Sequence, residues 1–108
     1  MTTIHFERTG GLLGEAIKLD LDMNKMPDDE SQVLQRMIQN ADFFKIPENL
    51  EGRPTMDGFQ YRITVRAGQS VHTVRTSDGT IPGALQPLIS ELLAIHAASA
   101  KVNAGSSR

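Results

Sequence analysis

A chain of 108 residues builds one domain, because it is too short for two cores of ordinary size. Its 11 Lys and Arg against 13 Asp and Glu leave a formal charge of −2, which excludes a general electrostatic binder of nucleic acid. Cysteine is absent, which excludes disulfide staples, cysteine-rich zinc sites and a thiol nucleophile.

Residues 3–8 alternate, with Ile4 and Phe6 against His5 and Glu7, which predicts a strand with one wet face. Gly10, Gly11 and Gly14 punctuate a connection, and alternation resumes over residues 15–21 with Ile17, Leu19 and Leu21 against Lys18 and Asp20. Two such runs joined by a glycine loop predict a β-hairpin. The period then changes. Pro27 suits a first helical position, where its missing N–H is not needed. Asp28, Asp29 and Glu30 follow at the positive end of the helix dipole. Val33, Leu34, Met37, Ile38 and Ala41 make one apolar stripe, so a helix is predicted over residues 28–42, with Phe43 and Phe44 closing the core behind it.

Residues 47–58 are polar and turn-rich and form the longest predicted loop. Phe59, Tyr61, Ile63 and Val65 then alternate strictly with Gln60, Arg62, Thr64 and Arg66, a strand over residues 59–66. Ala67-Gly68-Gln69 turns the chain into a partner strand over residues 70–76, with Val71 and Thr73 on one face and His72 and Val74 on the other. Leu85, Leu88, Ile89, Leu92 and Leu93 give a second helical stripe, predicted over residues 84–100. Pro87 belongs in its first turn, since a proline deep in a helix costs ~3 kcal/mol. Asn103 or Gly105 should stop the helix. Residues 1–100 are read as a single domain and residues 101–108 as a flexible C-terminal tail.

The predicted fold class is α+β: a four-stranded antiparallel sheet of two hairpins with two helices packed on one face. The pattern leaves strand order open. The expected core is Ile4, Phe6, Ile17, Leu19, Leu34, Ile38, Phe59, Tyr61, Ile63, Leu85, Leu88 and Leu92. The other sheet face should show His5, Glu7, Lys18, Asp20, Arg62, Thr64 and Arg66.

The residues that carry chemistry form no recognised catalytic pattern. His5, His72 and His96 lack metal-ligand spacing, and the strand histidines read as solvent-facing, with His5 and His72 placed as neighbours at most. Asp20 and Asp22 read as a solvated strand end, and the acids at residues 28–30 are explained by the dipole. There is no Gly-x-Ser-x-Gly, and the glycine loop leads into a strand where a phosphate cradle needs a helix N-terminus. No catalytic residue, metal ligand or cofactor is therefore assigned. Arg62, Arg66 and Arg75 form a local basic cluster, balanced across the sheet by Glu7 and Asp20. Leu12 and Leu13 stand between glycines, where loops usually carry polar residues. Apolar side chains there suggest insertion into a partner, the alternative being that one folds back over the core.

Phe6-Glu7-Arg8-Thr9-Gly10-Gly11-Leu12-Leu13-Gly14 resembles the Arg-Ser-Gly-Gly-apolar-x-Gly opening of the emfourin family, small bacterial inhibitors of protealysin, a thermolysin-like metallopeptidase. The similarity continues through Ala41-Asp42-Phe43-Phe44-Lys45-Ile46-Pro47, through Phe59-x-Tyr61-x-Ile63-Thr64-Val65 and His72-Thr73-Val74, and into Ile81-Pro82-Gly83-Ala84-Leu85-Gln86-Pro87-Leu88-Ile89. The chain departs from the family in having leucines where an aromatic residue is frequent in the loop, and in its extension beyond Leu93. The resemblance implies a non-enzymatic protein inhibitor whose partner is a thermolysin-like zinc metallopeptidase, the zinc being the partner's. The expected partner-binding residues are Thr9, Gly10, Gly11, Leu12, Leu13 and Gly14. Thermolysin-like enzymes favour a bulky apolar residue just after the scissile bond, which Leu12 or Leu13 would supply. The glycines also loosen the loop, so this segment is not expected to be the only anchor.

No apolar run reaches the ~18–20 residues of a membrane helix, and the opening residues lack the basic start of a secretory signal. A cytoplasmic protein is expected, monomeric when free, with neither nucleic acid nor membrane as partner. Two other readings stand beside the inhibitor: an adaptor or subunit that uses the wet sheet face, and a binder of an anionic ligand through Arg62, Arg66 and Arg75.

Overall fold

A computed structural model describes residues 2–11, 14, 16–50 and 58–106. Four strands, β1 (Thr2–Gly10), β2 (Ile17–Asp22), β3 (Phe59–Ala67) and β4 (Ser70–Ser77), form one antiparallel sheet in the order β2-β1-β3-β4. Both predicted hairpins are present, and β1 and β3 join them at the centre.

The register turns alternation into two faces. Ile4 lies opposite Leu21 and Val65, Phe6 opposite Leu19 and Ile63, and Ile63 opposite Val74. That face is closed by α1 (Asp28–Asn40) and α2 (Gln86–Ser106), whose Leu34, Ile38, Leu88, Ile89 and Leu92 join the same buried cluster. Ten of the twelve expected core residues are buried; Ile17 and Phe59, at strand ends beside the glycine loop, are only partly so. Met23, Ala41, Phe43, Val65, Val74 and Ile89 complete the cluster. Thr76 is buried too, its hydroxyl bonded to that of Thr80 at 3.0 Å.

Helix entry and exit differ in detail from the expectation. Pro27 precedes α1 instead of opening it, and its carbonyl accepts the Ser31 N–H at 3.0 Å. Val33 lies at the edge of the stripe, 41% exposed. After α1, Asp42 takes a left-handed φ of 51° and a single 3-10 turn, Phe43–Lys45, follows. Adjacent residues in so tight a turn point ~120° apart. Phe43 is therefore buried while Phe44 remains 39% exposed, so only one phenylalanine closes the core. Pro87 falls in the first turn of α2, as required, behind a 3-10 turn at Gly83–Leu85. The helix runs to Ser106, past both expected stops.

The start of the long loop is ordered against the sheet. Arg75 N–H donates to the Glu48 carbonyl, and Leu50 N–H to the Arg75 carbonyl, each at 2.7 Å. This parallel bridge covers part of the outer edge of β4, which would otherwise offer bare donors and acceptors.

Candidate functional site at the first hairpin

The last β1–β2 pair is Arg8 with Ile17, which leaves residues 9–16 as the connection. Pairing with β3 continues further, through Thr9 with Gln60 and Gly10 with Phe59. Gly11 N–H then donates to the Gly58 carbonyl at 3.0 Å. The outgoing leg of the loop is thus fixed to a third strand.

Two glycines make that contact possible. Gly10 has φ 88° and Gly11 φ 79°, left-handed values that side chains disfavour. A Cβ on Gly10 would stand 2.7 Å from the Gly58 carbonyl oxygen, and one on Gly11 2.5 Å from the Phe59 ring. Gly14 N–H returns a bond to the Gly11 carbonyl at 3.3 Å. Leu12 and Leu13, the expected apolar anchors, lie outside the described residues. Of the expected contact residues, Thr9, Gly10 and Gly11 are brought together along β3.

Beneath this leg lies a cluster that the sequence did not reveal. The Arg8 guanidinium carbon sits 4.1 Å from the centre of the Phe59 ring. The Phe59 and Tyr61 rings tilt against each other at 6.5 Å. Asp78 ties both to the turn after β4: one carboxylate oxygen accepts the Phe59 N–H at 2.9 Å and the other the Tyr61 hydroxyl at 2.8 Å. Asp78 N–H completes the clasp by donating to the Phe59 carbonyl at 3.1 Å. Burial, and then the bond to Asp78, push the Tyr61 phenol up to about 12.

The wet face of the sheet carries a line of paired charges. His5 Nδ1 bonds Asp20 at 2.5 Å, and His5 Nε2 bonds Glu7 at 2.6 Å. Arg62 reaches the same Glu7 oxygen. With a carboxylate at each ring nitrogen, His5 favours its doubly protonated form, and its pKa is raised first by Asp20 and then by Glu7. Arg62 and then His5 hold the Glu7 carboxyl down at about 2. The expected balance of Arg62 by Glu7 is present. Arg75 stands directly across from Arg62, and neither it nor Arg66 forms an ion pair among the described residues.

His72 is not the solvent-facing neighbour of His5. It lies on the opposite face, where Nε2 donates to the Ile46 carbonyl at 2.6 Å and the ring stands edge-on to Phe43 at 5.7 Å. Asp22 accepts the Asn24 N–H at 3.0 Å and so caps a 3-10 turn. Among the described residues, no three His, Asp or Glu side chains are arranged to hold a metal ion. A cavity of about 510 Å³ lies at the other end of the sheet, between the C-terminal end of α1 and the start of β1. A smaller one of about 280 Å³ adjoins the loop and is lined by Glu7, Thr9, Gln60, Tyr61, Arg62 and Arg75.

The family model Emfourin matches residues 6–93. No curated protein and no solved structure matches the chain.

Proposed function

The chain belongs to the emfourin family, and from that premise we propose that it is a protein inhibitor of a thermolysin-like zinc metallopeptidase, without catalysis of its own, whose inhibitory contact is residues 9–14. The observation that carries the loop assignment is the fixed β1 leg: Thr9, Gly10 and Gly11 are bonded along β3, and Gly10 and Gly11 have no room for a side chain. A leg already held in place loses less conformational entropy when it docks. The strand pairing of Thr9 and Gly10 suits the strand-like mode in which peptides lie in enzyme clefts. In this reading Leu12 or Leu13 fills the pocket that receives the residue after the scissile bond, and the zinc is the enzyme's. The protein acts in the cytoplasm and is monomeric when free.

The test is inhibition of a panel of thermolysin-like peptidases, including those of the same genome, by the parent and by Leu12→Asp/Leu13→Asp. Truncating a buried anchor costs at least ~2 kcal/mol, or about 30-fold in affinity. A charge in an apolar pocket costs more. Circular dichroism should show an unchanged fold, because a hairpin connection tolerates polar substitution. Full inhibition by the folded double variant would overturn the loop assignment. A parent that inhibits nothing in the panel would favour an adaptor working through the wet sheet face.

A further inference from the structure

The apolar face of the sheet carries one cation at its edge. Arg8 stands in register between Ile17 and Tyr61, so its side chain leaves β1 on the same side as Ile4 and Phe6. Its guanidinium lies over the Phe59 ring, and its Nε is buried with no partner, alone in this among the buried side-chain nitrogens and oxygens of the described residues. No described carboxylate forms an ion pair with it. Asp78 acts on the same Tyr61 phenol as Arg8, but both its oxygens are taken by Phe59 and Tyr61. Among the described residues the terminal nitrogens of Arg8 have no hydrogen-bond partner, and they are not among the buried unpaired atoms. Arg62, on the other face, is by contrast already bound to Glu7.

A guanidinium laid on an aromatic ring, part-desolvated and with its outer donors unfilled, is a receptor for a planar anion. The fork of donors matches a carboxylate in bidentate geometry. The stack has already restricted the side chain, so little freedom is lost on binding. Arg8 also immediately precedes the fixed leg at Thr9.

We propose that Arg8 is a second anchor of the complex, its terminal nitrogens receiving an Asp or Glu carboxylate of the target peptidase beside the cleft. The identity of the partner rests on the inhibitor reading; the carboxylate chemistry does not.

Two measurements separate these. In the first, which needs no peptidase, the arginine Nε–H signals of the 15N-labelled protein are followed by NMR as sodium acetate is added, with sodium chloride at equal ionic strength as reference. The Arg8 signal should move saturably with acetate, not with chloride, and further than the Arg62 signal. An Arg8 response no larger than that of Arg62 overturns the receptor. In the second, Arg8→Gln and Arg8→Lys are compared with the parent against a peptidase that the parent inhibits. Gln should weaken inhibition by ~30-fold or more, as loss of one partner of a buried charge pair does. Lys, which keeps the charge but not the fork, should lose less. Undiminished inhibition by folded Arg8→Gln overturns the contact, as does an equal loss in both variants. Should the Gln variant not fold, undiminished inhibition by Arg8→Lys overturns it. A parent inactive on every peptidase overturns the partner named here, and the acetate titration then decides the receptor alone.

Discussion

The two hairpins of this sheet share a strand pattern and differ in how their strands are joined. β3 passes into β4 through Gly68 and Gln69 alone, because Ala67 already pairs with Ser70. Gly68 has φ 62° with open space where a Cβ would be, which fits the II′ pattern of a two-residue turn. β1 passes into β2 through residues 9–16, and the outgoing leg of that connection is bonded to β3. The short turn does no more than reverse the chain. The long one has its first residues, Thr9, Gly10 and Gly11, bonded along the sheet. Glycine serves differently in each: Gly68 supplies a backbone angle, whereas Gly10 and Gly11 supply an angle and an absence of volume. A glycine-rich connection is mobile only where its neighbours leave it unbonded.

Both hairpins rest on one core, and the largest effect expected tests that. Leu88 is fully buried against the sheet, so Leu88→Ala should cost ~2–5 kcal/mol. The loss should appear as a lower denaturant midpoint and as reduced amide protection in both hairpins alike. Protection lost from one hairpin only would show that each has its own support. Next comes the contrast between glycines. Gly68→Ala meets only the left-handed backbone cost, ~1–2 kcal/mol. Gly10→Ala meets that cost and a clash with the Gly58 carbonyl, which adds ~1–3 kcal/mol of overpacking. Denaturant midpoints of the two variants should therefore differ in that order. Equal losses would show that the root of the long connection is no tighter than the turn.

The legible parts of the fold are those written in local period. Alternation placed β1, β3 and both hairpins, and it grouped His72 with Val74 on one face of β4, but it did not mark that face as the inner one. It could not show that the 3-10 turn at Phe43–Lys45 covers His72, because that contact spans 26 residues. Strand order was equally unreadable, since the β1–β3 pairing that sets it leaves no mark in either hairpin's own sequence. At the candidate site, the glycines and Thr9 were legible from the loop motif. Asp78 lies in Ser77-Asp78-Gly79-Thr80, a stretch that reads only as a break after the strand, because its bonds to Phe59 and Tyr61 join segments 19 and 17 residues apart. Arg8 falls where the apolar alternation of β1 gives out, and a cation there looks like the solvated end of a strand. Only the Phe59 ring across the sheet gives it another role.

The smallest effect expected lies on the wet face, where both hairpins contribute to one line of charge: Asp20 from β2, His5 and Glu7 from β1, and Arg62 from β3. Partly exposed pairs of this kind contribute ~0.2–1 kcal/mol each, less at high salt. Glu7 is held down at about 2 against an ordinary 4.5, so its contribution is complete above 4.5 and fades as the pH falls toward 2. His5 is raised above 6.5, so its contribution is complete below 6.5 and fades as the pH climbs through its higher folded value. Together they favour the folded state most between pH 4.5 and 6.5. Other carboxylates also titrate below that window, so the parent's profile alone does not isolate the line. The difference between parent and Glu7→Gln does, because both chains share every other group. Urea midpoints measured at pH 2.5, 5.5 and 9 should show the parent's advantage largest at 5.5 and reduced at both extremes. A constant difference across the three would mean that the line of charge spanning the hairpins adds nothing that depends on its protons, and that only the core and the backbone pairing hold them together.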